Sequence, residues 1–236
     1  MNLSYYMKPC SIIKNMNTEK KYNKSIIIGA SVISDTDMDR LKKECDDAYT
    51  VAADAGMEQC MAGDIRPDLW VGDMDSAGDN MLAVVKSIYP DMLIETCSPI
   101  KDDTDMAIAV KKAVEKGCRD IVIYGGLKGD RMDHSLANIQ LLHHFKSEGV
   151  NLRMISDSTE MYCLMKEEKK YDKTKTGMIS LFSLTDKSDI SIKGLYYEYE
   201  GVLKNSYALG VSNEFCGREA CIRVDDGIVL VVCINQ

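Results

Sequence analysis

Short apolar runs alternate with helix-like stretches along the first two thirds of the chain. The apolar runs occupy residues 25–30, 50–54, 68–73, 92–96, 120–126 and 151–156. The stretches between them repeat apolar residues every three or four positions, and Gly117 and Gly149 supply helix stops. Strands that are apolar throughout and are each followed by a helix are typical of a buried parallel sheet. The pattern predicts an α/β domain over residues 25–157, with helices on both faces of a parallel sheet.

The pattern changes after about Ser158. The later runs are GMISLFSLT, DISIKGLYYEYEG and ACIRVDDGIVLVVCINQ, which alternate or run apolar without a helical period. Asp226-Gly227, between two β-rich runs, is typical of a hairpin turn. Residues 158–236 are therefore predicted to form an all-β domain, most simply an antiparallel sandwich. Residues 1–24 are predicted to be an extension that precedes the fold.

The charge balance limits the partners. The 236 residues contain 29 Lys plus Arg and 37 Asp plus Glu, which gives a formal charge of −8. An acidic chain without a basic stripe has no electrostatic reason to bind nucleic acid or an anionic membrane. Nine scattered cysteines without a CxxC pair indicate free thiols, and no stretch has the pattern of a signal peptide or a membrane helix. These features predict a soluble, cytoplasmic protein.

Acidic residues follow two neighbouring predicted strands. Asp73 and Asp75 come after one strand, and Asp102, Asp103 and Asp105 come after the next. The carboxyl ends of parallel strands meet at one edge, where ligands bind, and close like charges are tolerated mainly around a cation. Oxygen donors without nearby Cys or His favour Mg²⁺. For each residue alone an ordinary loop or cap is the favoured explanation, and Thr104 or Asp103 is a candidate N-cap. The five acidic residues together favour a metal site.

The segment GGLKGDRMDHSLAN, at 125–138, places glycines between a strand and a helix. In that geometry backbone N–H groups and a helix N-terminus face an anion, although neither the Walker nor the GxGxxG pattern is present. Arg131 can complement phosphate charge and Asp133 can accept a hydrogen bond from a ligand. Pairing of these two side chains with each other is an equal alternative, and a lone His134 at a helix start is more often structural.

The predicted β domain combines aromatic and neutral polar residues. Tyr196, Tyr197 and Tyr199 precede Ser212 and Asn213. An aromatic face with amide and hydroxyl partners suits a flat, cationic heteroaromatic ligand. The alternative is that the tyrosines only cover a sheet face.

Together these motifs resemble the thiamine pyrophosphokinase family over nearly all of the chain from about Ser25. The matching blocks, in the family's order, are ADAG at 53–56, PDLWVGDMDS at 67–76, KDDTD at 101–105, GLKGDRMDHSLANI at 126–139, GLYY at 194–197 and GVSNEF at 210–215. The resemblance implies an enzyme that transfers the pyrophosphoryl group of ATP to thiamine and yields thiamine diphosphate and AMP. It also implies Mg²⁺, a homodimer, and a thiamine cleft to which both domains contribute.

The resemblance implies roles for individual positions. The metal ligands would be Asp73, Asp75 and Asp105, which form the catalytic set together with Arg131 and Asp133. The nucleotide would contact Asp54, Gly56, Asp102, Thr104, Gly126, Gly129, Arg131 and His134. Thiamine would contact Tyr197, Ser212 and Asn213.

The sequence departs from the family pattern at two positions. Ala55 and Asp130 stand where the family has glycines, and a positive φ at either would cost about 1 kcal/mol or more. Asp130 also adds negative charge near a triphosphate.

Asp105 and Asp133 are both candidates for the general base. The alternatives are a pyrophosphokinase or phosphohydrolase acting on another heterocyclic alcohol, such as a pterin, and a non-catalytic sensor of nucleotide or thiamine diphosphate.

Overall fold

The computed structural model describes residues 22–73, 80–98, 102–127 and 131–235. In the first half strands and helices alternate: β1 (Lys24–Ile28), α1 (Asp35–Cys45), β2 (Tyr49–Ala53), α2 (Gly56–Ala62), β3 (Leu69–Gly72), α3 (Met81–Ile88), β4 (Leu93–Thr96), α4 (Asp105–Glu115), β5 (Asp120–Tyr124), α5 (Met132–Ser147) and β6 (Asn151–Ser156). The six strands pair in parallel in the order β4-β3-β2-β1-β5-β6. The predicted α/β architecture and its six strands are confirmed.

Buried side chains project from both faces of the four central strands, β3, β2, β1 and β5, which explains why these strands are largely apolar. On one face Ile26 packs in a core with Leu41 of α1. On the other face Ile27 packs in a second core with Val110 of α4. Burial of both faces provides the main stabilisation of this half and fixes the positions of the strand ends.

The second half contains β strands alone among its described residues. They are β7 (Thr159–Leu164), β8 (Glu167–Tyr171), β9 (Met178–Ser183), β10 (Lys187–Lys193), β11 (Tyr199–Lys204), β12 (Gly210–Glu214), β13 (Ala220–Asp226) and β14 (Val229–Ile234). Two antiparallel layers enclose a core that includes Val231 and Ile222. The predicted sandwich is confirmed, but one layer, β12-β9-β14-β7, continues the parallel sheet beyond β6 to give ten strands. The other layer is β11-β10-β13-β8.

The turn between β6 and β7 joins the two halves. Asp157 lies there with φ 51°, a left-handed conformation. Its backbone N–H donates to Oδ2 of the buried Asp37 at 2.5 Å. Asp37 is in the first turn of α1. This hydrogen bond therefore links α1 to the β6–β7 turn, where the sheet changes from parallel to antiparallel.

The prediction of a hairpin at Asp226-Gly227 is wrong. Gly227 has a positive φ of 83°, as a turn requires. However, β13 pairs with β10 and β8, whereas β14 pairs with β7 and β9. The turn therefore carries the chain from one sheet to the other. A local turn signal does not determine strand partners, and here each strand pairs within its own layer of the sandwich.

No helix among the described residues is long and apolar enough to cross a membrane.

Candidate functional site

The carboxyl ends of the parallel strands form a crevice where the strand order reverses between β1 and β5. The exits of these two strands are bonded to each other: Gly29 N–H donates to the Tyr124 carbonyl at 2.8 Å, and Ser31 N–H donates to the Gly125 carbonyl at 3.0 Å. Met106, in the first turn of α4, packs here as well, since a Cβ added at Gly29 would lie 2.7 Å from its Cε. The start of α4 thus meets the ends of β1 and β5.

The loop after β1, residues 29–34, belongs to this crevice, although none of its residues is among the sequence-predicted site residues. Ile33 N–H donates to Oε1 of Gln59 at 3.2 Å, which holds the loop to α2. Val32 is 81% exposed, which is unusual for an apolar side chain beside a crevice. The signal that marks this loop is the glycine directly after the first apolar run.

Asp54 follows β2 in a strained backbone conformation, with φ 47°. Its N–H donates to the Val71 carbonyl at 2.8 Å, and its carbonyl accepts from Nε1 of Trp70 at 2.9 Å. Its Oδ1 is buried and has no hydrogen-bond partner within the parts of the chain that the structure describes. A buried carboxylate oxygen without a partner is costly, so it is a candidate contact for a bound cation or a ligand donor.

The predicted acidic ligands are placed by two neighbouring elements. Asp73 leaves β3 directly, beside Asp54, and is partly buried. Asp105 begins α4, and the predicted N-cap is confirmed because Thr104 Oγ1 accepts from the Ala107 N–H at 3.1 Å. Asp102 is exposed just before this cap. The predicted residues Asp75 and Gly129 lie outside the described residues.

The described residues contain no group of three or more His, Cys, Asp or Glu side chains that would hold a metal ion by themselves. The predicted set also includes Asp75, which lies outside the described residues. The donors that are described, Asp73, Asp105 and the unpartnered oxygen of Asp54, are carboxylates without sulfur or imidazole ligands. Their chemistry fits a hard divalent cation such as Mg²⁺.

The exit of β5 is held by a buried asparagine that was not predicted. Asn138 of α5 donates from Nδ2 to the Gly126 carbonyl at 2.6 Å, and this fixes the loop that precedes the helix. Gly126 is among the predicted nucleotide contacts. A polar residue at a buried position nearly two turns into α5, at the end of the GGLKGDRMDHSLAN segment, is the signal that would identify Asn138.

Arg131 and Asp133 pair with each other at the exposed start of α5. Arg131 donates from Nε to Oδ1 at 2.9 Å and from Nη2 to Oδ2 at 2.7 Å. The guanidinium lowers the pKa of the Asp133 carboxyl to about 2. A carboxylate with so low a pKa is a weak base for as long as it is paired with Arg131. His134 is exposed on the same turn, and its backbone N–H donates to the Arg131 carbonyl at 3.1 Å.

The family's glycine position at Ala55 needs no positive φ. Ala55 has φ −61° and ψ −4°, an ordinary right-handed conformation, so the strain considered for this position does not arise. Asp130 lies outside the described residues. Gly56, next to Ala55, is buried, and a Cβ there would lie 2.0 Å from the Ile28 carbonyl oxygen. Only glycine allows α2 to begin so close to β1.

We expect Gly56→Ala to destabilise the protein by about 1–3 kcal/mol, because the added methyl forces α2 away from β1. Thermal denaturation followed by circular dichroism should show a lower melting temperature. Ala55→Gly is the matched control and should change the melting temperature little. Equal melting temperatures for Gly56→Ala and the wild type would contradict the close packing.

The predicted polar residues of the β domain support one another. Asn213 Oδ1 accepts from the N–H groups of Tyr197 and Glu214, both at 2.9 Å, and its Nδ2 donates to the Tyr197 carbonyl at 2.7 Å. Asn213 is buried, so its amide holds the Tyr197 backbone, while the Tyr197 ring is 64% exposed and packs edge-on against Tyr196. Ser212 is exposed at a bulge in β12 with φ 59°.

The acidic residues at the carboxyl ends of the parallel strands, called the acidic edge below, lie far from Tyr197 and Asn213 within one chain. β12 is the first strand of the ten-stranded sheet, and β2 is seven strand spacings away from it. At about 4.8 Å per spacing, the separation is on the order of 30 Å. One small ligand cannot contact both groups. Within a single chain, the acidic edge and the Tyr197–Asn213 cluster are therefore two separate sites.

Comparisons with known proteins match both halves. The family model described as "Thiamin pyrophosphokinase, catalytic domain" matches residues 37–154, and "Thiamin pyrophosphokinase, vitamin B1 binding domain" matches residues 165–229. Thiamine pyrophosphokinase from Bacillus subtilis is 24% identical over 185 residues, which cover 77% of this chain and 85% of the relative.

Solved structures share the fold. The structure of the Bacillus subtilis thiamine pyrophosphokinase superposes with a TM-score of 0.79 at 22% identity, over 90% of this chain and 99% of that one. The yeast thiamin pyrophosphokinase superposes with a TM-score of 0.74 at 15% identity, over 91% of this chain and 87% of that one. The fold of this chain is thus similar to that of solved bacterial and yeast proteins.

Proposed function

The chain belongs to the thiamin pyrophosphokinase family, and we propose that it transfers the pyrophosphoryl group of ATP to the hydroxyl of thiamine, giving thiamine diphosphate and AMP. The observation that carries the proposal is the buried, unpartnered carboxylate oxygen of Asp54 at the crevice that also receives Asp73 and the start of α4. Such an edge suits a cation and the polyphosphate that accompanies it. Among the alternatives, a sensor without turnover has no need for so many mutually repelling carboxylates.

In this proposal the chain mainly positions charge. Mg²⁺, held by Asp73, Asp75 and Asp105, would neutralise part of the triphosphate charge. Arg131 offers an exposed guanidinium to the phosphates, and Asn138 holds the Gly126 loop beneath them. The thiamine hydroxyl attacks the β-phosphorus in line, its proton passes to a general base, for which Asp105 and Asp133 are the candidates, and AMP leaves.

The product identifies the reaction. Purified protein is incubated with ATP, Mg²⁺ and thiamine, and the nucleotides and thiamine esters are separated by chromatography. We expect AMP and thiamine diphosphate in equal amounts. ADP would indicate ordinary kinase chemistry, turnover with a pterin alcohol but not with thiamine would favour the other heterocyclic substrate, and binding without turnover would favour a sensor.

We further propose that two copies of the chain share each active site, as a homodimer. The distance on the order of 30 Å between the acidic edge and the Tyr197–Asn213 cluster supports this, because a second copy can supply the cluster. Exposed apolar side chains flank the cluster, including Tyr207, Leu209 and Val211. Apolar groups concentrated in one region are typical of a surface that another protein covers.

Mixed dimers test the sharing of sites. Asp73→Asn and Asn213→Ala subunits carrying different tags are expressed together, and the mixed dimer is purified by both tags. At a thiamine concentration at which each variant alone is inactive, the mixed dimer should have about half the wild-type activity, since one of its two shared sites is intact. An inactive mixed dimer, or a monomer by light scattering, would contradict the arrangement.

We propose a reducing, cytoplasmic location. The eight described cysteines are all free. Burial raises the pKa of the Cys163 thiol to about 12, so this group is unreactive. Free buried thiols are typical of proteins in reducing compartments.

A further inference from the structure

A second large cleft lies at the opposite edge of the molecule from the acidic crevice. It is lined by the starts of β5 and β6, the end of α5, β8 and the loop at 172–176, and its volume is about 760 Å³. Because Asp120 and Asn151 are the first residues of β5 and β6, the cleft is at the amino ends of the parallel strands. It shares no residue with the predicted active site.

The carboxylates that line this cleft already have partners. Their contacts are Glu167 Oε1 with Lys146 Nζ at 2.6 Å, Glu160 Oε1 with Arg153 Nη1 at 3.2 Å, Asp120 Oδ1 with Arg153 Nε at 4.0 Å, and Asp172 Oδ1 with the Thr174 N–H at 2.9 Å. The acidic groups are therefore engaged with the walls of the cleft.

Two lysines of the cleft lack such partners. Neither Lys169 nor Lys175 has a carboxylate oxygen within 4.0 Å among the residues that the structure describes. Lys169 Nζ lies 5.8 Å from the centroid of the Tyr162 ring, and Lys175 Nζ donates to the neutral Oδ1 of Asn235 at 2.7 Å. In a chain of net charge −8, two ammonium groups without counter-charges in one cleft favour an anion there.

The walls around these lysines are firmly built. Lys146 is only 9% exposed, and its Nζ also donates to Asn151 Oδ1 at 2.9 Å, which fixes the floor. The buried hydroxyls of Tyr162 and Tyr171 are bonded to each other at 2.6 Å. β8 is the end strand of its sheet, so one of its edges has no strand neighbour and leaves backbone N–H groups available.

We propose that this cleft is a second binding site, separate from the acidic crevice, which takes a small organic phosphate. Lysine ammonium groups, the hydroxyl of Thr176 and backbone N–H groups of the β8 edge are donors that phosphate oxygens accept from. The volume lies within the roughly 300–1,000 Å³ range of small-molecule sites. The proposal does not depend on the reaction at the acidic crevice.

Hydrogen exchange measured by mass spectrometry on the full chain tests the site, with AMP and inorganic pyrophosphate as probes. We expect either phosphate to slow exchange in residues 167–176. The double variant Lys169→Gln/Lys175→Gln should lose this protection and bind the probe at this site about tenfold more weakly or worse, with unchanged basal turnover. The matched control Lys173→Gln/Lys193→Gln removes two exposed lysines that do not line the cleft, and it should keep the protection.

Several results would overturn the proposal. They are an absence of protection in residues 167–176 at millimolar probe, equal protection in the Lys169→Gln/Lys175→Gln protein, and equal protection by the dicarboxylate malonate, which would remove the assignment to phosphate. Loss of the protection in Asp73→Asn would show that the effect originates at the acidic crevice. Turnover is measured separately, so failure of this site and failure of the proposed reaction are distinguishable.

Discussion

Asp73→Asn should reduce formation of AMP and thiamine diphosphate by about 1,000-fold or more, because a neutral amide oxygen binds Mg²⁺ more weakly than a carboxylate and supplies no negative charge to place the cation against the polyphosphate. Asparagine has nearly the same size, and Asp73 is at the end of β3 rather than in either core, so the fold should persist. The measurement is AMP release at saturating ATP and thiamine over a range of Mg²⁺ concentrations, with a thermal melt to check folding.

Asp91→Asn is the matched control for this experiment. Asp91 is an exposed aspartate in the loop between α3 and β4, and it is outside the predicted site. The control should keep normal turnover, since the net charge changes equally in both variants. Near-normal turnover of Asp73→Asn at the wild-type Mg²⁺ requirement would refute its assignment as a metal ligand.

Asp54→Asn should separate activity from stability. We expect turnover to fall about 100-fold, because the buried oxygen that faces the crevice loses its charge. The melting temperature should equal or exceed that of the wild type, because the substitution removes a buried charge with an unpartnered oxygen. Asparagine also tolerates the left-handed backbone at this position, where φ is 47°. Activity and melting temperature are measured on the same preparation.

Asp64→Asn provides the control for backbone effects. Asp64 also has a positive φ, of 53°, but it is exposed and lies beyond the end of α2. It should show wild-type activity and stability. A large loss of stability in Asp54→Asn alone would mean that the carboxylate maintains the fold, and the assignment of Asp54 to ligand binding would be wrong.

The parts of the structure that depend on local pattern were predictable from the sequence. The apolar runs predict the four central strands, β3, β2, β1 and β5, because both of their faces are buried. The edge strand β4 is largely exposed and was marked by a shorter apolar run. The Thr104 cap follows from the residue type that precedes α4. The gathering of Asp54 and Asp73 at one edge follows from the rule that parallel strands end together.

The parts that depend on distant pairing were not predictable. Nothing near Asp226-Gly227 specifies that the flanking strands join different sheets. The sequence likewise does not indicate that the Asn213 amide is occupied by the Tyr197 backbone, because the two residues meet only when β12 is in place. Separation of the acidic edge from this cluster depends on the strand order of the whole sheet.

Continuity of the sheet across β6 and β7 has a mechanical consequence. The two strands are bonded along Arg153–Ser156 and Thr159–Tyr162, so the halves of the chain share one stiff ladder with no flexible linker between them. A hinge opening between the two halves would have to break this strand pairing. In the proposed reaction, substrates and products would then pass by movement of the crevice loops or, in the proposed dimer, by small shifts between subunits, over a frame that keeps its strand pairing.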